Sequence, residues 1–200
     1  MPVAVRIAYL ETPDAEPLGV RRQFGSALFR RLLDERFGAG VGSVRTADSG
    51  QPVVTDVTEP AFVSLTHTRR LVAAALAAAR VGIDAESRDR VASPGLRARV
   101  CSSSELRWLA RQSEDRRDVD FLRLWTRKEA YGKAIGVGIG FDLRATDFSP
   151  DDERLAGVSG DWRAAFADLG PDVVAALVVE GDAPDVVVTK VDRRELAHLG

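Results

Sequence analysis

The sequence predicts an α+β fold, a pseudo-dimer of two similar halves, each an antiparallel sheet packed on a long helix. Three observations predict it. Two long stretches carry apolar residues at helical spacing, one at 19–37 and one from residue 121 onward. Two runs rich in alanine and valine, LVAAALAAA at 71–79 and DVVAALVVE at 172–180, have the composition of buried strands. The order is the same in both places: long helix, turn-rich connection, apolar strand. That order hints at an internal duplication of about ninety residues. The halves are expected at 1–88 and 89–200, with the charged, turn-rich stretch 87–95 between them. The second half has no acidic pair after its last core strand, so one active site is expected, at the junction of the halves.

Composition sets the bounds. The chain has 200 residues, of which 45% are apolar, enough for a packed core in one domain or two small ones. A net charge of -2 argues against a nucleic-acid binder, which should be strongly basic. The single cysteine, Cys101, allows no disulfide within the chain and fits a reducing, cytoplasmic setting. The opening residues lack the basic segment and apolar run of a signal peptide. No run of about eighteen apolar residues is present to span a membrane. A monomer is expected.

The elements follow in order. Residues 3–10 (VAVRIAYL) alternate and read as a strand. In 19–37, Phe24, Leu28 and Leu32 share one face, with Phe29 and Leu33 beside it and most arginines elsewhere. The stretch 48–60 is turn-rich. Residues 61–68 (AFVSLTHT) form a strand running into the polar triplet Thr66-His67-Thr68, the lip of a polar pocket. The run 71–79 is a buried strand or helix. Ser102 to Glu105 reads as a capping region for a helix at 105–112. Cys101 reads as a small core residue. The charge cluster 114–120 is expected to be a loop. The central helix opens at Phe121 and stops near Gly136 and Gly138. Beyond Gly140, FDLRATDF alternates like a strand, 162–168 is largely apolar, and 172–180 and 185–191 read as strands.

Two stretches carry chemistry. In VGIDAE (81–86), Asp84 and Glu86 sit two apart after an apolar run. In an extended chain they project to the same side. Two such acids repel unless a cation lies between them, and Mg2+ prefers oxygen ligands of this kind. In FLRLWTRKEAYGKAIGVGIG (121–140), Trp125, Glu129 and Lys133 are four apart and share a helix face. Glu129 is the candidate for a third acidic ligand. Trp125 reads as a core anchor that sets the rotation of the helix.

GIDAE followed about forty residues later by WTRKEAYGKAIGVGI resembles the signature of the 4'-phosphopantetheinyl transferases. The THT triplet and the two-halved chain resemble the surfactin-synthetase-activator (Sfp) type. The resemblance runs from about Arg21 to Val179. It implies transfer of the phosphopantetheine arm of coenzyme A to a serine of an acyl or peptidyl carrier protein. It implies Mg2+, or Mn2+, held by Asp84, Glu86 and Glu129. Arg21, Thr66 and His67 would contact coenzyme A phosphates. Lys133 would reach a phosphate and stabilise the 3',5'-ADP leaving group, and Glu129 or a water would take the serine proton. Lys128 could pair with an acid or a phosphate. Arg88, Arg90, Arg97 and Arg99 could meet an acidic carrier. The two-halved form resembles enzymes that serve secondary metabolism. One departure stands out: where the family usually reads Gly-Lys-Pro, this chain has Gly50-Gln51-Pro52, losing a positive charge near the nucleotide. The alternatives are a relative that binds coenzyme A or a carrier without transferring, and a Mg2+-dependent phosphohydrolase using the same acids.

Overall fold

The computed structural model describes residues 1–14, 16–137, 142–148, 152–155 and 157–196. The elements are β1 (Val3–Glu11), α1 (Leu18–Phe37), β2 (Ser43–Thr46), β3 (Pro52–Thr55), β4 (Phe62–His67), β5 (Leu71–Ala77), β6 (Val81–Ser87), α2 (Pro94–Val100), α3 (Ser103–Ala110), α4 (Glu114–Ile135), β7 (Trp162–Ala167), β8 (Val173–Glu180), β9 (Pro184–Lys190) and α5 (Arg193–Leu196). No described helix is long and apolar enough to cross a membrane.

The architecture is mixed α and β. One sheet has the order β4-β5-β1-β9 and another the order β6-β8-β7, and β2 and β3 form a small hairpin. The expectation of purely antiparallel sheets is corrected in one place: β9 joins the first sheet parallel to β1. A strand from late in the chain thereby closes the edge of a sheet built early in it. The remaining pairings, β1–β5, β4–β5, β6–β8 and β7–β8, are antiparallel.

Alternation explains the layers. Val5, Ile7 and Tyr9 of β1 and Val81, Ile83 and Ala85 of β6 point into one shared core between the sheets. Ala8 and Leu10 of β1 point the other way, under Leu28 and Leu32 of α1. Val174 and Val178 of β8 pack under α4. The molecule is therefore stacked as α1, sheet, sheet, α4. β5 is buried along its whole length because it is covered on both faces, which explains its unbroken apolar run. Gly82 lets α4 lie directly on β6. A Cβ there would stand 1.9 Å from the carbonyl oxygen of Ala130.

Two sequence readings are corrected. The charged stretch 114–120 is the first two turns of α4, not a loop. Its acids Glu114 and Asp115 occupy the first turn, where they favour the helix dipole. The run FDLRATDF is not a strand over its described residues, 142–148. Carbonyls that would have joined a ladder are taken instead by Lys128, whose buried Nζ donates to Leu143, Thr146 and Val100 at 2.6, 2.8 and 3.0 Å. The same ammonium pairs with Glu105 at 2.7 Å. Glu105 completes the capping box of α3 with Ser102 and also accepts from the Phe148 amide at 2.8 Å. Gly136 ends α4 in the left-handed conformation (φ 78). Gly138 and Gly140 lie outside the described residues.

Candidate functional site

β6 ends with its acids turned toward α4. Gly82, Asp84 and Glu86 share one face of the strand, and Gly82 is the point where α4 touches it. The free edge of β6 is fixed by β4. The Ile83 amide donates to Ser64 Oγ at 3.1 Å and the Ala85 amide to Thr66 Oγ1 at 3.0 Å. Hydroxyls thus replace a strand at this edge, and they place the THT segment beside the acids.

Asp84 is buried. Its Oδ1 accepts from Thr66 Oγ1 at 3.2 Å and from Lys133 Nζ at 2.7 Å. Its Oδ2 is buried with no hydrogen-bond partner. A buried, unsatisfied carboxylate oxygen is costly, so the position calls for a cation or donor. Lys133 also donates to the carbonyls of Leu65 and Ile83 at 3.2 and 2.9 Å. Its three donors are thereby engaged, and its ion pair is with Asp84 rather than with Glu129 one turn away.

Glu86 pairs with Arg90 at 2.8 Å. Burial, and then the neighbouring Asp84, hold the Glu86 carboxyl above the ordinary value of 4.5; Arg90 pulls the other way and Glu129 adds a push upward. Glu129 accepts from Trp125 Nε1 at 3.4 Å. Its carboxyl is likewise raised, by burial first and then by Asp84, with Trp125 and Lys133 opposing. The three acids therefore feel one another. Among the described residues, however, no three His, Cys, Asp or Glu side chains already form a metal cage. The donor set still fits a hard divalent cation, with an orphaned buried oxygen on Asp84 and two further carboxylates whose charged forms are disfavoured by burial and by Asp84.

Asp84, Glu86, Thr66, His67 and Lys133 line a single cleft of about 1050 Å³, whose far wall is α1 and the β2–β3 hairpin. Arg21 and Glu129 stand outside that lining. Arg21 donates to the Thr68 carbonyl at 2.8 Å. It lies close enough to His67 that, after burial of the ring, it is the chief influence holding the imidazole pKa below 6.5, followed by Lys133. Thr66 is buried, with its hydroxyl committed to Asp84 and the Ala85 amide.

Three contacts escaped sequence reasoning. Arg90 holds Glu86; the signal for it was the four-residue spacing just past the strand. Trp125, read as a core anchor, does touch Phe121, at 5.6 Å between ring centroids, but it also donates to Glu129 and carries the Arg90 guanidinium 4.3 Å above its ring. Gln51 donates its amide to the Lys133 carbonyl at 3.0 Å, tying the hairpin to the last turn of α4. Cys101 is fully buried and its thiol is pushed up to about 12, first by burial and then by Glu105, which leaves no nucleophile there.

A family model described as the 4'-phosphopantetheinyl transferase superfamily matches residues 80–178. The 4'-phosphopantetheinyl transferase psf-1 of Bacillus pumilus is 31% identical over 126 residues, covering 62% of this chain and 53% of the relative. The 4'-phosphopantetheinyl transferase Sfp of Bacillus subtilis (strain 168) is 26% identical over 125 residues, covering 62% and 55%. The 4'-phosphopantetheinyl transferase pptA of Paxillus involutus is 29% identical over 159 residues, covering 68% and 59%. The chain thus spans about half the length of the curated relatives it matches. Residues 80–178, which carry β6, α4 and all three acids, are thus similar to the 4'-phosphopantetheinyl transferase superfamily, and the chain resembles its Sfp type, as the two motifs do.

Proposed function

We propose that this protein transfers the 4'-phosphopantetheine arm of coenzyme A to a serine of an acyl or peptidyl carrier protein, converting apo carrier to holo carrier and releasing 3',5'-ADP. The observation that carries the reading is the cleft into which Asp84, Glu86, Lys133 and His67 all face. It has room for a nucleotide and concentrates at one end the charges a pyrophosphate needs. The names of the relatives support the same reading.

Transfer of this kind depends on positioning and charge neutralisation. Asp84, Glu86 and Glu129 would hold Mg2+ or Mn2+, which would neutralise the pyrophosphate and polarise the phosphorus. Lys133, poised on Asp84, exchanges one of its present acceptors for a phosphate oxygen and stabilises the departing 3',5'-ADP. Arg21 and His67 serve the nucleotide end, and Thr66 lines the cleft while holding Asp84. The carrier serine oxygen bonds to the β-phosphorus as the bond from that phosphorus to the bridging oxygen breaks. The electron pair leaves on 3',5'-ADP. The serine proton passes to Glu129 or to a water. Arg88, Arg90 and Arg99 are exposed just past β6 and suit an acidic carrier, with Arg97 partly spent on Asp118.

The halves 1–88 and 89–200 are read as a pseudo-dimer with the site at their junction, acting as a cytoplasmic monomer in secondary metabolism. The two sheets' shared strand order supports the duplication. Mass spectrometry of apo carriers of fatty acid, polyketide and peptide type, with coenzyme A and Mg2+, tests the activity. A gain of one arm's mass on a carrier is expected. No gain at high enzyme concentration would leave a non-transferring relative, and cleavage of coenzyme A without any carrier would point to a phosphohydrolase.

A further inference from the structure

The three acids are each held by a different resident group. Lys133 holds Asp84, Arg90 holds Glu86 and Trp125 holds Glu129. Two of these holders are joined, because the Arg90 guanidinium lies 4.3 Å above the Trp125 ring. One arginine–indole stack therefore links Glu86 on the strand to Glu129 on the helix, each acid bonded to its own member of the stack. A planar guanidinium suits both tasks at once, a charged hydrogen bond to a carboxylate and a face-on contact with an aromatic ring.

We propose that Arg90 is a built-in counter-ion that keeps Glu86 from the shared cation position until a divalent cation displaces it, so that Arg90 sets the metal affinity of the site. The inference rests on the reading of Asp84, Glu86 and Glu129 as the metal ligands. Arg90 is a positioning residue, acting through Glu86. It is half exposed, at 45% of its side chain, whereas Glu86 is at 18%, so the arginine can swing into solvent while the acid stays in the cleft. Its departure frees the charge of Glu86 and also uncovers Trp125. Glu86 is then left without its local cation, beside an Asp84 that keeps Lys133, and draws in a replacement.

Binding of Mn2+ alone to the full chain, followed by titration calorimetry and by tryptophan fluorescence, tests this. Arg90→Ala is expected to bind Mn2+ about five- to tenfold more tightly, the scale of one exposed ion pair and one exposed stack removed together. Arg90→Lys, which keeps the charge and loses the planar stack, should fall between. In the wild type Mn2+ should change the tryptophan emission, and Trp125→Phe should remove that change. Equal or weaker binding by Arg90→Ala, in a series where Glu129→Gln weakens binding, overturns the role of Arg90 and leaves the three-acid site standing. Absence of Mn2+ binding in wild type and Arg90→Ala alike, or full binding by Glu129→Gln, overturns the metal site and this inference together.

Discussion

β1 and β6 stand alike on one side and differ on the other: β9 pairs with the outer edge of β1, whereas the outer edge of β6 carries no strand of its sheet. Each runs antiparallel to an alanine- and valine-rich strand, β5 or β8, and each sheet has the same order of connection, with a third strand on the far side of the second. Counted back from the last pair, Glu11 with Leu71 and Ser87 with Val173, Ala8 stands where Asp84 stands and Leu10 where Glu86 stands. All four face the long helix that covers their own sheet. Ala8 and Leu10 are almost wholly buried beneath α1 and contribute to stability. Asp84 and Glu86 gain no apolar burial and leave one oxygen orphaned. Similar strand pairings thus support packing in one place and a charged site in the other, according to the side chains at the matching positions.

Transplanting the β1 pair onto β6 should have the largest effect. Asp84→Ala with Glu86→Leu is expected to cut carrier modification by about 10³-fold or more, measured by mass gain of the carrier, while circular dichroism stays native. Retained transfer would break the comparison.

Next is the buried anchor beside α4. Lys128→Met strips a buried ammonium from Glu105 and three carbonyls and should lower the unfolding free energy by about 3–5 kcal/mol in urea titration. A loss under about 1 kcal/mol would show that the ion pair does not hold residues 142–148 to α4.

Gly82→Ala sharpens the geometric side. At the matching place in β1 stands Arg6, which is exposed, so no helix presses on it. On β6 the added methyl meets the backbone of α4 and should cost about 1–3 kcal/mol, with weakened transfer as α4 shifts. A neutral substitution would mean that α4 can slide without loss.

The smallest effect concerns pH. Glu86 and Glu129 are raised above 4.5, so in the metal-free protein the folded state holds more protons than the unfolded state from that value upward to the raised ones. Stability from these groups is therefore present at the acid end of that window and is lost as pH rises through it. Glu86→Gln with Glu129→Gln should flatten this slope in urea midpoints measured across the window. An unchanged slope would assign it to other groups.

Much of this was legible in the letters. VGIDAE shows its strand through the buried alternation and its chemistry through two acids on one face, and Trp125, Glu129 and Lys133 announce a helix face by spacing. The start of α4 was not legible, because EDRRDVD has no apolar stripe and docks instead through Arg117, on the carbonyls of Leu109 and Gln112, and Asp118, on Arg97 and the Ala92 amide. The segment 142–148 alternates like a strand, yet its carbonyls are claimed by Lys128, a contact that no local pattern reveals. The β2–β3 hairpin hid among turn residues. Lys133 was readable as a phosphate ligand but not as the partner of Asp84, since that pair is 49 residues apart and exists only after α4 docks on Gly82.

The account stands or falls on whether the acids of β6 and α4 share one ion. Crystals grown with Mn2+ and coenzyme A, examined by anomalous scattering at the manganese edge, test this most directly. A single peak within about 2–2.3 Å of oxygens from Asp84, Glu86 and Glu129, touching the pyrophosphate, is predicted. Coenzyme A seated in the cleft with manganese elsewhere, or with none, would contradict it.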